Sequence, residues 1–448
     1  MDTRQSSISV LMLPWLAHGH ISPFLELAKR LTDRNFHIYF CSTPINLSSI
    51  KKRLPEKYSH LIQLVELHLP SMPELPPHHH TTNGLPIHLM HTLKNALDMA
   101  SPAFSNILQT LNPDLVIYDY NQQWAPTISS SLDIPAVQFQ TTGAVMVSFA
   151  FHMLDKRGEN YPFPAITFRN FESLKPRQSS ESSENHSKER DRFLEATKRS
   201  CNIILTKTFT EIEGKYIEYL SKLTGKKMVP VGPLVEEPVN ENEHTEIIQW
   251  LDMKEEPSAV FVSFGSECFL SKEEMEEVAQ GLELSKVNFI WVVRFPVGEK
   301  IRVEEALPKG FLERVGERGM VIEGWAPQSK ILQHSSTGGF VSHCGWGSVM
   351  ESMKYGVPII GMPMHIDQPL NSRLMEEVGV GVEVTRDNNG RFKREEIAQV
   401  IRKVVVEENG KDVRIKAREL SKRLKLKGEE EIDKVVEELV QLCKEWKK

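Results

Sequence analysis

A glycine-rich turn in the second half of the chain is placed to bind an anion. The stretch from Trp325 to Gln368 contains two short apolar runs, residues 339–342 and 357–360, and a polar turn follows each of them. The first turn, HCGWGS at residues 343–348, leads directly into a helical pattern. A strand, a glycine turn and a helix start together point backbone N–H groups and a positive dipole end at a ligand. The stretch therefore predicts a site for a ligand that carries phosphate.

Side chains around this turn are suited to the remainder of such a ligand. Trp325 lies on a loop outside any periodic pattern, where a large aromatic can stack on a base or a sugar, although packing in the core is the alternative. Glu351, early in the following helix, can accept hydrogen bonds from ribose hydroxyls. Asp367 and Gln368 follow the second strand, where a polar pair can bind other hydroxyl groups.

In the first half, a histidine and a carboxylate stand near the carboxyl ends of two predicted strands. His20 follows the strand at residues 8–13, in the loop before a helix that we expect to begin at Ser22, and Asp119 ends the strand at 115–119. Ligands of parallel sheets bind at such strand ends. An imidazole beside a carboxylate is the arrangement of a general base held in one tautomer. The alternative is that His20 caps a helix and Asp119 merely ends a strand.

Other site motifs are absent or weaker. The chain contains no GxGxxG between a first strand and helix, no GxxxxGK[ST] and no GxSxG. A metal cluster could be drawn from His343, Cys344, His365 and Asp367. The glycine turn and the helix start favour a phosphate-binding site instead. The histidines at 78–80 lie in a proline-rich loop, and we expect them to be solvated. No metal site is predicted.

The elements that must position these residues alternate between strands and helices. We expect helices that begin at about residues 23, 143 and 211 and after the Ser271–Glu274 capping box. One long helix is expected to end at about residue 111. Three more helices are expected at 393–407, 412–425 and 429–446. Residues 70–86 and 171–192 are expected to be loops, the second a mobile one. Strands are predicted at 8–13, 37–42, 62–67, 115–119, 134–139, 201–206, 259–264, 288–293, 320–323, 339–342, 357–360 and 379–384. Such alternation predicts an α/β fold with doubly wound parallel sheets.

The length of 448 residues suggests two domains. A run of proline, glycine and acidic residues without periodicity marks a linker at 234–245. We expect an N-terminal Rossmann-like domain at 1–233, a C-terminal one at 246–430, and a final helix at 431–448 that packs back on the first domain. Two such domains facing each other would leave a cleft between their strand ends, with one substrate in each wall.

Composition narrows the class of protein. A net charge of −6 argues against nucleic acid as a partner. Five widely scattered cysteines suggest reduced thiols rather than a disulfide framework. The N-terminus has no signal-peptide pattern, and no apolar run approaches the roughly 20 residues that span a bilayer. We expect a cytoplasmic monomer without a membrane span.

The residues from Trp325 to Gln368 closely resemble the signature box of plant UDP-dependent glycosyltransferases, the inverting family 1. WAPQ, HCGW, the following Ser and Glu, GVP, P and DQ all stand in register. The similarity covers the whole chain, from Gly19-His20-Ile-Ser-Pro23 to the C-terminal helices. The resemblance implies a GT-B fold, with two facing Rossmann-like domains, an acceptor bound mostly by the first and a sugar nucleotide mostly by the second.

The resemblance also implies roles for matching positions. Trp325 would stack on uracil, and Glu351 would hold the ribose hydroxyls. His343, Ser348 and Ser266 would bind the diphosphate. The full set of implied donor-binding residues is Thr141, Ser266, Trp325, Ala326, Gln328, His343, Trp346, Gly347, Ser348, Glu351, Asp367 and Gln368.

In the first domain, His20 resembles the catalytic base and Asp119 its partner. The final Gln368 of the box resembles enzymes that use glucose. One position departs from the pattern, because Gly347 stands where the family usually has Asn. An amide side chain that could touch phosphate or sugar is missing there, although the backbone N–H remains.

Three features resemble the branch-forming group of the family, which adds sugar to a sugar. They are glycine at position 347 and the segments PWLAHGHISPFLELAKRL and LHLPSMPELPPHHHTTNGLP. The implied reaction is inverting transfer of glucose from UDP-glucose, the only co-substrate, to a sugar hydroxyl of a small hydrophobic triterpenoid or flavonoid glycoside. The alternatives are glucosylation of a free aglycone, a UDP-sugar-binding protein without turnover, and a metal-dependent hydrolase using the His-Cys cluster. The acceptor pocket would be lined by the loops 70–86 and 171–192 and by the helix after 143.

Overall fold

The chain forms two compact units, each built around its own parallel sheet. The computed structural model describes residues 8–156, 158–172, 183–237, 245–266, 268–296 and 301–447. The first unit consists of Met1–Tyr161, Gln178–Val239 and Lys427–Lys448, and the second of Pro162–Arg177 and Asn240–Leu426. Most of the predicted linker, residues 238–244, lies outside the described residues.

The first unit contains a parallel sheet of seven strands. Its strands are β1 Ser9–Leu13, β2 His37–Ser42, β3 Ile62–Glu66, β4 Leu115–Tyr118, β5 Ala136–Gln140, β6 Ile203–Thr206 and β7 Lys227–Pro230. Their order across the sheet is β3-β2-β1-β4-β5-β6-β7, and every pair is parallel. Apolar residues fill nearly every position of the central strands, because both faces of such a sheet are covered by helices.

The second unit repeats this architecture with six strands. They are β8 Ala259–Ser263, β9 Asn288–Val293, β10 Gly319–Glu323, β11 Thr337–Ser342, β12 Ile359–Gly361 and β13 Gly381–Glu383. Their order is β10-β9-β8-β11-β12-β13, again all parallel. Counted along the chain this is the order 3-2-1-4-5-6 of a dinucleotide-binding fold, and the first six strands of the other sheet follow it too. The prediction of two Rossmann-like α/β domains is confirmed.

Helices connect the strands of both sheets. In the first unit they are α1 His18–Thr32, α2 Pro44–Arg53, α3 Met90–Met99, α4 Ser101–Leu111, α5 Ala125–Ser131, α6 Ala144–Asp155, α7 Ser183–Arg199 and α8 Thr210–Thr224. They continue with α9 Thr245–Asp252, α10 Lys272–Ser285, α11 Val303–Ala306, α12 Phe311–Val315, α13 Gln328–Gln333, α14 Trp346–Tyr355, α15 Gln368–Val378, α16 Arg394–Val405 and α17 Lys411–Trp446. None of the helices in the described part of the chain has the length and apolar content of a membrane span.

Alternate residues of β1 enter two different cores. Val10 and Met12 pack on one face of the first sheet and Leu11 and Leu13 on the other, all at most 1% exposed. The first of these cores also receives the last turns of α17, through the buried side chains Ile432, Val435 and Leu439. The C-terminal helix is therefore part of the hydrophobic core beneath α1 and β1.

Four sequence-based expectations about elements were wrong. Helix α1 begins at His18 rather than near Ser22, because the Ala17 carbonyl already accepts from the amides of His20 and Ile21 at 3.0 and 2.9 Å. The expected long helix up to 111 is two helices, α3 and α4, and Pro102 in the first turn of α4 lacks the N–H that continuity requires. Helix α17 is continuous where two helices were expected. The strand β7 and the helix α9 were not predicted.

The fourth error concerns the expected loop at 171–192, much of which is helical. Residues 173–182 lie outside the described residues, but α7 begins at Ser183 and carries the segment onward. Arg192 ties this polar helix to α3, because its side chain is 6% exposed and bonded to both oxygens of Asp98 at 2.9 and 2.7 Å. Leu194 and Ala196 of the same helix are buried, so apolar contacts hold it as well.

Residues 162–172 belong to the second unit, where a buried ion-pair cluster holds them. Arg373 on α15 bonds both oxygens of Glu172 at 2.7 Å, and Arg169 bonds Glu383 on β13. The side chains of Glu172, Arg373 and Glu383 are at most 8% exposed. Removing one partner would leave a buried charge uncompensated, which is why such clusters strongly constrain the segments they join.

Candidate active site

The first unit brings together three polar side chains from neighbouring strand ends. β1, β4 and β5 are adjacent in the sheet, and His20, Asp119 and Thr141 follow their carboxyl ends. Between β1 and β4 the chain leaves the sheet in opposite directions, and such a switch point is where doubly wound sheets bind ligands. The topology therefore places these residues at the expected position for a site.

His20 and Asp119 are in direct contact. The Nδ1 atom of His20 lies 2.7 Å from Oδ2 of Asp119, whose side chain is 1% exposed, while the His20 side chain is 23% exposed. The amides of Trp15 and Tyr120 also donate to the two carboxylate oxygens, at 3.1 and 2.7 Å. Backbone amides thus hold the carboxylate in place, and the carboxylate in turn orients the imidazole. A proton on Nδ1 leaves the lone pair on Nε2, the form that can accept a proton.

Thr141 touches the same imidazole nitrogen. Its Oγ1 lies 2.9 Å from Nδ1 of His20. Thr141 was assigned to the donor site by resemblance, so its place beside the histidine and carboxylate pair is a feature that sequence reasoning missed.

Aromatic rings extend away from His20 along one side of the first unit. The Tyr120 ring lies 5.8 Å from that of His20, Phe193 on α7 lies 6.5 Å from Tyr120, and Phe151 on α6 lies 5.1 Å from Phe193. Tyr120 and Phe193 are half-buried. Such a row offers an amphipathic and apolar surface next to the imidazole.

The proline-rich loop also reaches this end of the sheet. The Thr82 amide donates to the Leu16 carbonyl at 3.0 Å, four residues before His20. His80 is buried rather than solvated, contrary to expectation, and its Nε2 bonds the Leu75 carbonyl at 3.2 Å. Burial lowers the pKa of His80, so this histidine acts as a neutral anchor of the loop.

In the second unit, the predicted donor residues follow four strands of one sheet edge. Trp325 comes after β10, Ser266 after β8, His343 after β11 and Asp367 after β12. Across the sheet these strands stand in the order β10, β9, β8, β11, β12. The residues predicted to bind base, diphosphate and sugar therefore follow one another along this edge in the order that these groups have in a nucleotide sugar.

Two glycines leave room for the ring of His343 at the predicted phosphate site. A Cβ on Gly265 would lie 2.7 Å from the His343 ring, and one on Gly345 would lie 2.5 Å from its Nε2. Gly265 also has a φ of +78°, a conformation that glycine adopts readily. Burial, aided by nearby His365, lowers the pKa of His343 to about 4. The imidazole is therefore neutral at neutral pH and can donate one N–H.

The start of α14 supplies backbone donors next to this ring. Its N-cap is Gly345, which has no side chain to occupy the first amides, and the helix runs for ten residues. Gln328 donates to Ser348 Oγ at 3.3 Å, and Ser329 donates to Glu351 at 3.2 Å. The Trp325 side chain is 56% exposed, and Trp346 is buried at 4%. A tryptophan with this much exposed surface is better suited to stacking on a ligand than to packing in the core.

The pair predicted to bind hydroxyl groups, Asp367 and Gln368, is held by hydrogen bonds to its surroundings. Gln368 Oε1 accepts from the amides of Met364 and His365 at 3.0 and 3.1 Å, which leaves its NH2 group as the donor for a ligand. Asn371, one helical turn later, donates to Asp367 Oδ2 and to the Cys344 carbonyl, both at 3.0 Å. Asn371 was missed, although its spacing of four residues from Asp367 places it on the same helix face.

The side chains of the alternative metal cluster are not brought together as metal ligands. The Cys344 thiol is fully buried, and its Sγ lies 3.5 Å from the Ser342 carbonyl. Within the described residues, no group of three or more His, Cys, Asp or Glu side chains is placed to hold a metal ion.

Comparison with known proteins decides the family. The family model described as UDP-glucoronosyl and UDP-glucosyl transferase matches residues 230–428, and the model for the glycosyltransferase N-terminal domain matches residues 6–236. This chain belongs to the UDP-glycosyltransferase family. The resemblance seen in the sequence and the prediction of a glycosyltransferase are thereby confirmed.

Relatives and solved structures cover the UDP-glycosyltransferase over its whole length. UDP-glucosyltransferase 29 of Panax ginseng is 59% identical, covering 100% of this chain and 99% of the relative. The beta-D-glucosyl crocetin beta-1,6-glucosyltransferase of Gardenia jasminoides is 57% identical, covering 97% and 99%. UGT2 of Phytolacca americana, solved with UDP-2fluoro-glucose and pterostilbene, superposes with a TM-score of 0.80 at 27% identity, covering 99% and 100%. The GT-B fold class is confirmed.

Proposed function

We propose that this UDP-glycosyltransferase transfers glucose from UDP-glucose to a sugar hydroxyl of a small hydrophobic glycoside, with inversion at the anomeric carbon. The observation that carries the proposal is the 2.7 Å contact between His20 and the buried carboxylate of Asp119 at the switch point of the first sheet. That contact supplies a base of defined tautomer, and the family supplies the donor class.

The reaction follows from these groups. Nε2 of His20 takes the proton of an acceptor hydroxyl while the oxygen attacks the anomeric carbon from the face opposite the diphosphate. The bond between that carbon and the UDP oxygen breaks, so an α-donor gives a β-glycoside. Asp119 stabilises the imidazolium that forms, and base catalysis of this kind contributes about 10²- to 10⁴-fold. The histidine then returns its proton to solvent.

In the second unit, we propose a donor site that binds the sugar nucleotide through side chains and backbone amides, without requiring a metal. Trp325 stacks on uracil, and Ala326 and Gln328 lie beside the nucleoside. Glu351, which Ser329 already orients, holds the ribose. The diphosphate lies against the start of α14, where Ser348, Ser266 and neutral His343 donate and the helix dipole stabilises the departing charge.

The sugar of the donor is the remaining group. Asp367 and the NH2 of Gln368 bind its hydroxyls, near Trp346. Gly347 leaves the space beside the first helical turn open, because a Cβ there would meet no other heavy atom within 4 Å. The backbone N–H at this position replaces the missing amide side chain, and we propose glucose as the donor sugar because Gln368 ends the box, as in enzymes that use glucose.

The acceptor proposal rests on the relatives and on the first unit. The Gardenia enzyme is named for glucosylating a glucosyl crocetin, and it is similar to this chain over nearly its whole length. The row of rings Tyr120, Phe193 and Phe151 gives an apolar glycoside a surface beside the base. We further propose a cytoplasmic monomer, since all five cysteines are free thiols and four of the five are buried.

An acceptor screen tests the proposal. Triterpenoid and flavonoid aglycones and their monoglucosides are incubated with UDP-glucose, and products are identified by mass spectrometry. We expect glucose to be added to the monoglucosides, with UDP released only when acceptor is present. Activity on free aglycones alone would assign the enzyme to aglycone glucosylation, and no acceptor-dependent UDP release would leave only a binding protein.

A further inference from the structure

The hydroxyl of Thr141 shares the imidazole nitrogen that Asp119 holds. Oγ1 of Thr141 lies 2.9 Å from Nδ1 of His20, and Oδ2 of Asp119 lies 2.7 Å from the same atom. Thr141 is 9% exposed. A single N–H therefore faces two oxygen atoms, one from the end of β4 and one from the end of β5.

The backbone on both sides of Thr141 is held in place. The Lys207 amide donates to the Gln140 carbonyl at 2.9 Å, which extends the pairing of β5 with β6 to the residue before Thr141. Glu213, with no exposed surface, accepts from the amides of Ala144 and Val145 at 2.8 and 2.6 Å and so caps α6. Thr141 lies between these two anchors, and its hydroxyl has little freedom to move away from the ring.

Two acceptors constrain the imidazole more than one acceptor does. With the proton on Nδ1, both oxygens accept from it, and Nε2 keeps its lone pair for the substrate. Rotating the ring by half a turn would present a C–H to both oxygens and lose both contacts. When Nε2 takes a proton, the Nδ1–H of the resulting cation becomes a stronger donor to both oxygens. The contact is therefore strengthened in the charged state of the base.

We propose that Thr141 is a positioning residue for His20, in addition to any contact with the donor sugar. The proposal rests on the proposed function, because it assigns Thr141 to the base of that reaction. A residue that only bound the donor sugar would act on donor affinity. A residue that positions the base acts on turnover and on the pH dependence of the reaction.

The variants Thr141→Val and Thr141→Ser separate these roles. Valine keeps the branched shape without the hydroxyl, and serine keeps the hydroxyl. We expect Thr141→Val to lower kcat roughly tenfold, as for a lost hydrogen bond to a charged group, with the KM for UDP-glucose within about twofold of wild type. Because the hydroxyl stabilises the imidazolium, the acidic limb of the pH profile of kcat should shift about half a unit to one unit lower. Thr141→Ser should recover most of both.

Three results would overturn the assignment. A raised KM for UDP-glucose with kcat and the pH profile unchanged would make Thr141 a donor contact alone. Equal losses in the valine and serine variants, with lowered melting temperatures, would make its role structural. Wild-type behaviour of Thr141→Val would remove any role. His20→Ala, assayed alongside, separates the proposals: if it retains transfer, the proposed base itself is wrong, whereas its inactivity beside an unaffected Thr141→Val refutes only the positioning role.

Discussion

Replacing Asp119 by Asn changes one atom of the carboxylate that orients His20. In the wild type, Oδ2 accepts from His20 Nδ1 at 2.7 Å and from the Trp15 amide at 3.1 Å, and Oδ1 accepts from the Tyr120 amide at 2.7 Å. An amide group cannot accept at both positions. Whichever way the Asn side chain is placed, its NH2 group faces at least one N–H donor.

The two placements differ in their consequences. With the oxygen towards Tyr120, the NH2 faces the Trp15 amide and donates to Nδ1, which forces the proton of His20 onto Nε2 and removes the base. With the oxygen towards His20, the NH2 faces the Tyr120 amide, and one buried donor loses its partner at a cost of about 1–3 kcal/mol. The imidazolium also loses its counter-charge in both cases. We therefore expect kcat to fall by at least about 10²-fold, within the range that base catalysis supplies.

Steady-state kinetics with UDP-glucose and a glycoside acceptor measure this loss, and isothermal titration calorimetry measures UDP binding. The dissociation constant for UDP should remain within about twofold, because the proposed UDP site lies in the other unit, so the loss appears in turnover alone. The Asp119→Asn protein must also retain its far-ultraviolet circular dichroism. A kcat within threefold of wild type would refute the reasoning that Asp119 sets the tautomer of His20.

Three further predictions address other residues. Gly347→Asn should lower the dissociation constant for UDP about tenfold relative to Gly347→Ala, since the space beside Gly347 is open and a side-chain amide can add a charge-assisted hydrogen bond; calorimetry showing no difference would contradict this. Trp325→Ala should weaken uridine binding roughly tenfold or more with little change in melting temperature, because the ring is 56% exposed and stacking contributes about 1–3 kcal/mol; unchanged uridine affinity would exclude a stacking role. Burial raises the pKa of Glu213 from 4.5 to about 7, so its contribution to stability is present below pH 4.5 and is lost as the pH rises through 7. The unfolding free energy of wild type relative to Glu213→Gln should thus fall by about 2–3 kcal/mol between pH 5 and pH 8 in urea titrations, and a pH-independent difference would show that Glu213 is not titrating there.

Period and spacing carried enough information to predict every strand of the two sheets except β7. Continuous apolar runs such as residues 259–263 predict strands buried on two faces, and the polar residues that follow them predict a site at the carboxyl edge. The Ser271–Glu274 capping box was likewise visible, and both of its hydrogen bonds are present. Local sequence decides these features, so they could be predicted without tertiary contacts.

Features that depend on distant partners could not be predicted. Helix α7 looked like a polar loop because its stabilising contact, from Arg192 to Asp98, joins residues 94 positions apart in the sequence. His80 is also held by Thr43, whose hydroxyl donates to the His80 carbonyl across 37 positions, and the contact of Thr141 with His20 depends on the packing of β5 beside β4. Pairing across 94 or 121 positions leaves no local pattern.

The most direct test of the proposed mechanism compares wild type with His20→Ala. The reaction of a glycoside acceptor with UDP-glucose is followed by proton NMR. For the wild type we predict a new anomeric doublet with the large coupling of a β-glucoside, formed in step with free UDP. For His20→Ala we predict no product beyond about 1% of the wild-type rate, with the dissociation constant for UDP unchanged by calorimetry. An α-linked product, or a His20→Ala variant that forms β-glucoside at a rate near that of wild type, would contradict inverting transfer with His20 as the base.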